Sequence, residues 1–186
     1  MTGPGARRCA LAVAVWLLAL PAGMAKAADP NPLELAVKAA FIYKFQFYVS
    51  WPPRAYTAPD SPFKLCIVGD DPFGNLIDQA VSGQRVGGRT IAVARLSSVS
   101  VDDHCQMLYL GTEDPRLARQ ELSAVDGQPV LTITDAISDD SAKGMINFVI
   151  ADDRVRFEID DAAAARDGLP ISSKLLSVAL SVRPLP

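Results

Sequence analysis

Histidine occurs once in the 186 residues, at His104, so a metal centre built on several imidazoles is excluded. Cysteine is nearly as scarce, with Cys9, Cys66 and Cys105 only. No G-x-S-x-G elbow is present to expose a nucleophilic serine, and no G-x-G-x-x-G turn to let backbone approach a pyrophosphate. Positive charge is not in excess: 18 Lys and Arg stand against 21 Asp and Glu. General attraction to nucleic acid or anionic lipid is thereby disfavoured. Paired carboxylates occur at Asp139-Asp140 and Asp152-Asp153, in expected turns where acids are usually solvated. Catalysis has no support in these patterns, and the chain reads as a non-enzyme that needs no metal and no cofactor.

A hydrophobic run long enough to span a membrane is also missing. The longest, residues 9–20, has twelve apolar residues, short of the roughly 20 that a spanning helix requires. It follows Arg7-Arg8 and is broken by Pro21 and Gly23 before Ala25-Lys26-Ala27, the pattern of an export signal cut after Ala27. Residues 1–27 are expected to leave as a signal peptide, and residues 28–186 to form one domain. Loss of Arg7, Arg8 and Lys26 leaves 15 bases against 21 acids, a net charge of −6. Of the two remaining cysteines, Cys66 lies in an expected strand and Cys105 at the edge of one. An even number in an exported chain suggests a bridge, the other reading being two buried thiols. A closed loop of this length is worth roughly 4 kcal/mol on the chain-entropy account.

What is present is an α/β pattern. Residues 31–53 open with Asn31 as N-cap, Pro32 at the first helical position and Glu34 where a capping box places its acid, and Pro52-Pro53 stop the helix. Its apolar residues, among them Phe41, Tyr43, Phe45, Phe47 and Tyr48, cover more than one face. Strands are expected at residues 63–68, 89–96, 106–111 and 129–135, with helices near 73–81 and 115–125. Residues 144–150 and 155–159 form an expected hairpin around Asp152-Asp153, followed by a helix, a break at Gly168 and a final helix capped by Ser172 or Ser173. Strands alternating with helices imply a mainly parallel central sheet covered by helices on both faces, with a C-terminal hairpin.

The turn after the first strand, LCIVGDDPFG, tests the nucleotide-binding alternative. Gly69 is followed by Asp70 and Asp71, and two carboxylates there repel phosphate. A receiver-type acidic pocket needs a phosphate-accepting aspartate after a central strand, yet QMLYLG ends in Gly111. Asp70 or Asp71 therefore reads as a turn and helix-capping group.

Six ordered blocks then join up: VKAAFIYKFQFYVSWP, CIVGDDPFG, HCQMLYLG, PVLTITD, GMINFVIADDRVRFEID and GLPISSKLL. Together, over residues 36–176, they resemble the YfiR-type periplasmic proteins, and Cys66 and Cys105 match a cysteine pair typical of that family. The resemblance implies a small periplasmic α/β domain that represses a membrane-anchored diguanylate cyclase by binding its periplasmic sensor region, lowering cyclic di-GMP and biofilm formation. The alternative is a small-molecule-binding accessory domain of a transporter or sensor kinase. The aromatic first helix and the hairpin suggest that Tyr43, Phe47, Phe148 and Glu158 contribute to one contact surface for the cyclase or for a homodimer, with Phe148 and Phe157 either on its rim or in the core.

Overall fold

The computed structural model describes residues 31–185. The expected export signal, residues 1–27, lies outside the described residues. The first helix, α1, spans Pro32–Phe45. The Asn31 side chain accepts a hydrogen bond from the Leu33 backbone N–H at 3.0 Å, and Pro32 occupies a first-turn position that has no intrahelical acceptor to satisfy. Glu34 turns to Lys38 one turn later (2.5 Å). The helix ends seven residues before Pro52, earlier than the sequence pattern implies. Beyond it the backbone runs back across the domain: Val49 bridges Ile171, and the Ser172 N–H donates to the Tyr48 carbonyl at 2.7 Å.

Among the described residues eight strands form one sheet. They are β1 (Phe63–Gly69), β2 (Arg85–Val86), β3 (Arg89–Leu96), β4 (Met107–Gly111), β5 (Leu131–Asp135), β6 (Ile146–Ala151), β7 (Arg154–Asp160) and β8 (Ser181–Arg183). The order across the sheet is β2-β3-β1-β4-β5-β6-β7-β8. The five strands from β3 to β6 in that order are mutually parallel; β2 and β7 run against their neighbours β3 and β6, and β8 is parallel to β7. Asp152 and Asp153, which join β6 to β7, both take left-handed backbone (φ 51° and 56°), as a two-residue type I′ turn demands. Asp residues tolerate this conformation better than most.

Strand alternation divides the core into two layers. Phe63, Leu65 and Ile67 of β1 face α1, helix α2 (Asn75–Val81), helix α4 (Asp161–Arg166) and helix α5 (Ser173–Leu176), where Ile42, Phe45, Ile77, Ala164 and Leu175 cover them. Cys66 and Val68 face the other way, against Leu108, Leu110, Val125 and Val130 at the end of helix α3 (Pro115–Ala124). The expected mainly parallel sheet with helices on both faces is therefore what forms. Burying both sides explains why β1, β4 and β5 read as nearly continuous apolar runs. The expected final helix is the exception: α5 has only four residues, with Ser172 capping it through the Lys174 N–H (3.3 Å), and the chain then extends into β8.

Candidate functional site

The direction in which successive strands are added to the sheet reverses between β1 and β4. The chain leaves β1 through α2 to β3 on one side, then crosses to β4 on the other, giving the parallel strands the doubly wound order 2-1-3-4-5. In open sheets of this kind the loops diverge at that point and leave a crevice outside the carboxyl ends of the strands. Such a crevice is present, with a volume of about 510 Å³, between α1 and the ends of β1, β4 and β5.

The strand ends are held by a close backbone approach. The Asp70 N–H donates to the Gly111 carbonyl at 2.8 Å, and a Cβ on Gly111 would lie 1.7 Å from the Asp70 carbonyl oxygen. Gly69, at φ +82°, faces the same restriction, since its Cβ would come within 2.6 Å of the Gly111 oxygen. Glycine is thus required at the end of both strands, for packing and not for phosphate. The two aspartates that follow have different tasks. Asp71 caps the turn, accepting from the Phe73 and Gly74 N–H groups (2.9 and 3.2 Å), and pairs with Arg95 (2.7 Å). Asp70 is exposed and borders the crevice. The end of β4, where a receiver-type phosphoacceptor would have to stand, holds Gly111.

The floor of the crevice is a buried polar chain. Lys38, 5% exposed, donates to both oxygens of Asp135 (2.8 and 2.7 Å) and also pairs with Glu34. Burial alone would lower the Lys38 pKa, but the hydrogen bonds and charges of Asp135 and Glu34 outweigh it and raise the pKa above the ordinary lysine value. The Tyr109 hydroxyl donates to Asp135 at 3.3 Å and its ring packs edge-on against Phe73 (centroids 4.8 Å apart). Burial first, then the charge of Asp135, pushes the phenol well above the usual tyrosine range. Sequence reasoning assigned no site role to Lys38, Tyr109, Thr112, Glu113 or Asp135. The only local signal was the i, i+4 spacing of Glu34 and Lys38.

Cys66 and Cys105 are bridged, with Cα atoms 5.9 Å apart and a sequence separation of 39. The bridge lies in the second core layer, opposite α1, and ties β1 to the entry of β4.

The four expected contact residues do not form one surface. Phe47 is 57% exposed just past the end of α1 and packs edge-on against Tyr43 (5.4 Å), whose hydroxyl donates to Gln84 Oε1 at 2.8 Å. Phe148 is fully buried and Phe157 nearly so. Phe148 stacks with Phe45 and Phe157 meets it edge-on in the layer under α1, so the expectation of an aromatic rim is corrected in favour of the core. Glu158 follows Phe157 in β7 and so projects from the opposite side of the sheet. There it accepts from Lys143 (2.8 Å) and Ser181 (3.3 Å), far from the α1 layer in topology. Hydrogen bonding to Lys143 holds the Glu158 pKa below the ordinary carboxylate value despite partial burial.

The doubly wound sheet, the internal bridge and the crevice at the strand ends define a small disulfide-linked α/β domain. Within that class the chain belongs to the YfiR/HmsC-like family, whose profile matches residues 35–180. Membership supports a periplasmic regulator of a diguanylate cyclase system in general, and a regulatory role in place of catalysis. No helix among the described residues is long and apolar enough to cross a membrane.

Proposed function

We propose that the exported protein represses a membrane-anchored diguanylate cyclase by binding the cyclase's periplasmic sensor region, which lowers cyclic di-GMP and biofilm formation. The observation that carries this reading is the family match, which runs from the first turn of α1 almost to β8 and so takes in every helix of the domain. The Tyr43–Phe47 pair supplies a docking surface. Phe47 is a large apolar ring left in water beside a second aromatic, the composition found in the energetic centre of protein interfaces. Glu158 belongs to a separate charged face with Lys143 and Ser181, apart from this docking surface.

The test replaces Phe47 by alanine and measures cyclic di-GMP in cells that carry the cyclase, together with export and thermal melting. Repression is expected to weaken by tenfold or more in cyclase affinity, consistent with roughly 2 kcal/mol for a central aromatic, at unchanged melting temperature. Full repression by a folded Phe47→Ala/Tyr43→Ala protein would remove this surface from the reading. Sedimentation of the purified protein separates the competing occupant, a second copy of the chain, since a homodimer through this face would dissociate in the same variant.

A further inference from the structure

We propose that a second crevice, where α3 and α4 meet the amino ends of β5 and β6, binds a neutral saccharide of one or two rings, with a ring hydroxyl bonded to both Asp167 and Arg166. This goes beyond the repressor reading and does not depend on which protein the domain binds.

The observation that points to a ligand is a buried acceptor with nothing to accept. Asp167 follows the last turn of α4 and is only 4% exposed, yet its Oδ1 has no hydrogen-bond partner among the described residues. The backbone of the residue is satisfied: its N–H donates to the Ala163 carbonyl (3.2 Å) and its carbonyl accepts from the Arg54 guanidinium (2.9 Å). Arg166 Nε lies 3.5 Å from Oδ1, an ionic contact without hydrogen-bond geometry. Burial is the largest influence on the carboxyl and raises its pKa above the ordinary aspartate value. A buried oxygen in this state costs free energy until a donor reaches it.

Asp167 also lines open space. The crevice has a volume of about 460 Å³, within the range of small-molecule sites. Leu122, Met145 and Ala163 line it as well and offer an apolar wall to the C–H face of a sugar ring.

Charge selects among the possible donors. The lining cations Arg119, Lys143 and Arg166 each face acids: Asp139 at 2.6 Å, Asp140 and Glu158 at 2.9 and 2.8 Å, and Asp126 at 3.8 Å, respectively. Neither sign is left in clear excess. An ammonium would meet the three cations and an anion would meet Asp126 and Asp167, so a neutral donor is favoured. Bond geometry narrows the choice. A hydroxyl both donates and accepts at one oxygen, so it can give its proton to Oδ1 while accepting from the guanidinium beside it. The N–H and C=O of a trans peptide point in opposite directions and do not serve two partners this close together.

The experiment follows the isotope-labelled, bridged protein by NMR during titration with glucose, galactose, N-acetylglucosamine and cellobiose. Glucosamine, galacturonate and N-acetylglycinamide are run as comparison ligands. At least one neutral sugar is expected to shift the Thr132, Ala163 and Asp167 amides saturably at millimolar concentration. The charged sugars should bind at least tenfold more weakly and the amide not at all. Arg166→Ala and Asp167→Ala should each weaken sugar binding at least tenfold, as loss of a hydrogen bond to a charged group does. Arg166 is 67% exposed, so its variant should keep the wild-type melting temperature and carries the test if Asp167→Ala does not fold. Asp70→Asn, at the other crevice, should leave sugar binding unchanged. Absence of binding at tens of millimolar would show that water alone meets Asp167 and overturn the proposal. So would charged sugars binding as tightly as neutral ones, or a sugar affinity unchanged in Arg166→Ala. Because the readout is binding to the isolated domain, failure here leaves the repressor reading intact, and the converse also holds.

Discussion

Replacing Lys38 by methionine probes the electrostatics beneath the crevice. Methionine keeps the length and apolar stem of lysine but removes the ammonium that joins Asp135 and Glu34. Those carboxylates have side-chain exposures of only 19% and 26%, so their charges would be left facing one another with little water. Removing one member of a buried ion pair costs about 3–5 kcal/mol, and the partial exposure here places the loss near 3 kcal/mol. For a domain of this size that corresponds to a fall in melting temperature of roughly 6–12 °C. The sign of the pH dependence follows from the same picture. In the wild type the Lys38 pKa is raised, so the lysine's contribution is complete below about 10.4 and disappears only as pH rises through the folded value. Thermal melts of the two proteins should therefore differ at neutral pH and converge as pH rises through the folded-state Lys38 value. The double variant Lys38→Met/Asp135→Asn, which removes the orphaned charge, should recover most of the loss at pH 8. A Lys38→Met deficit under about 1 kcal/mol at neutral pH would show that water screens the pair and would refute the reasoning.

Reduction of the Cys66–Cys105 bridge, or its replacement by two serines, should lower stability by up to roughly 4 kcal/mol for the loop it closes, read from urea melts with and without reductant. Glu158→Gln should be less stable than wild type by about 0.5–1 kcal/mol at pH 7. Because the folded Glu158 pKa is depressed, that gap should close as pH falls through it, below about 4.3. Phe148→Ala should cost about 3–5 kcal/mol of folding free energy in denaturant melts, as a core truncation does. A small loss there would contradict its place in the core.

Local rules carried much of the fold. Asn31-Pro32 starts α1 because a side-chain oxygen can meet an early helix N–H whatever the helix later packs on. Asp152-Asp153 turns a hairpin because two residues that tolerate left-handed backbone lie between two β-branched and aromatic runs. Ser172 caps α5 for the same local reason, and the alternation of strand and helix patterns was enough to imply a parallel sheet buried on both sides. The pairing of Cys66 with Cys105 was legible as well, from their number and from the family resemblance, and the parallel register of β1 with β4 supplies the proximity.

Other features depended on partners distant in the chain. Residues 181–183 carry no strand signal strong enough to stand alone, and they become β8 because β7 offers an unpaired edge beside them. The early end of α1 reflects the return path that bridges Val49 to Ile171, a contact that no helix propensity encodes. Period-two alternation separates Phe157 from Glu158 but does not say which side is the core. Packing against Phe41 and Phe45 of α1 decides that, and it places Phe148 inside and Glu158 on the opposite side. The crevice is the furthest from sequence, since Lys38, Asp70, Tyr109 and Asp135 span almost a hundred residues and meet only because β4 crosses to the other side of β1. Side-chain periodicity is a property of neighbours in the chain, whereas strand order is settled by the whole buried surface, and the site is made by strand order.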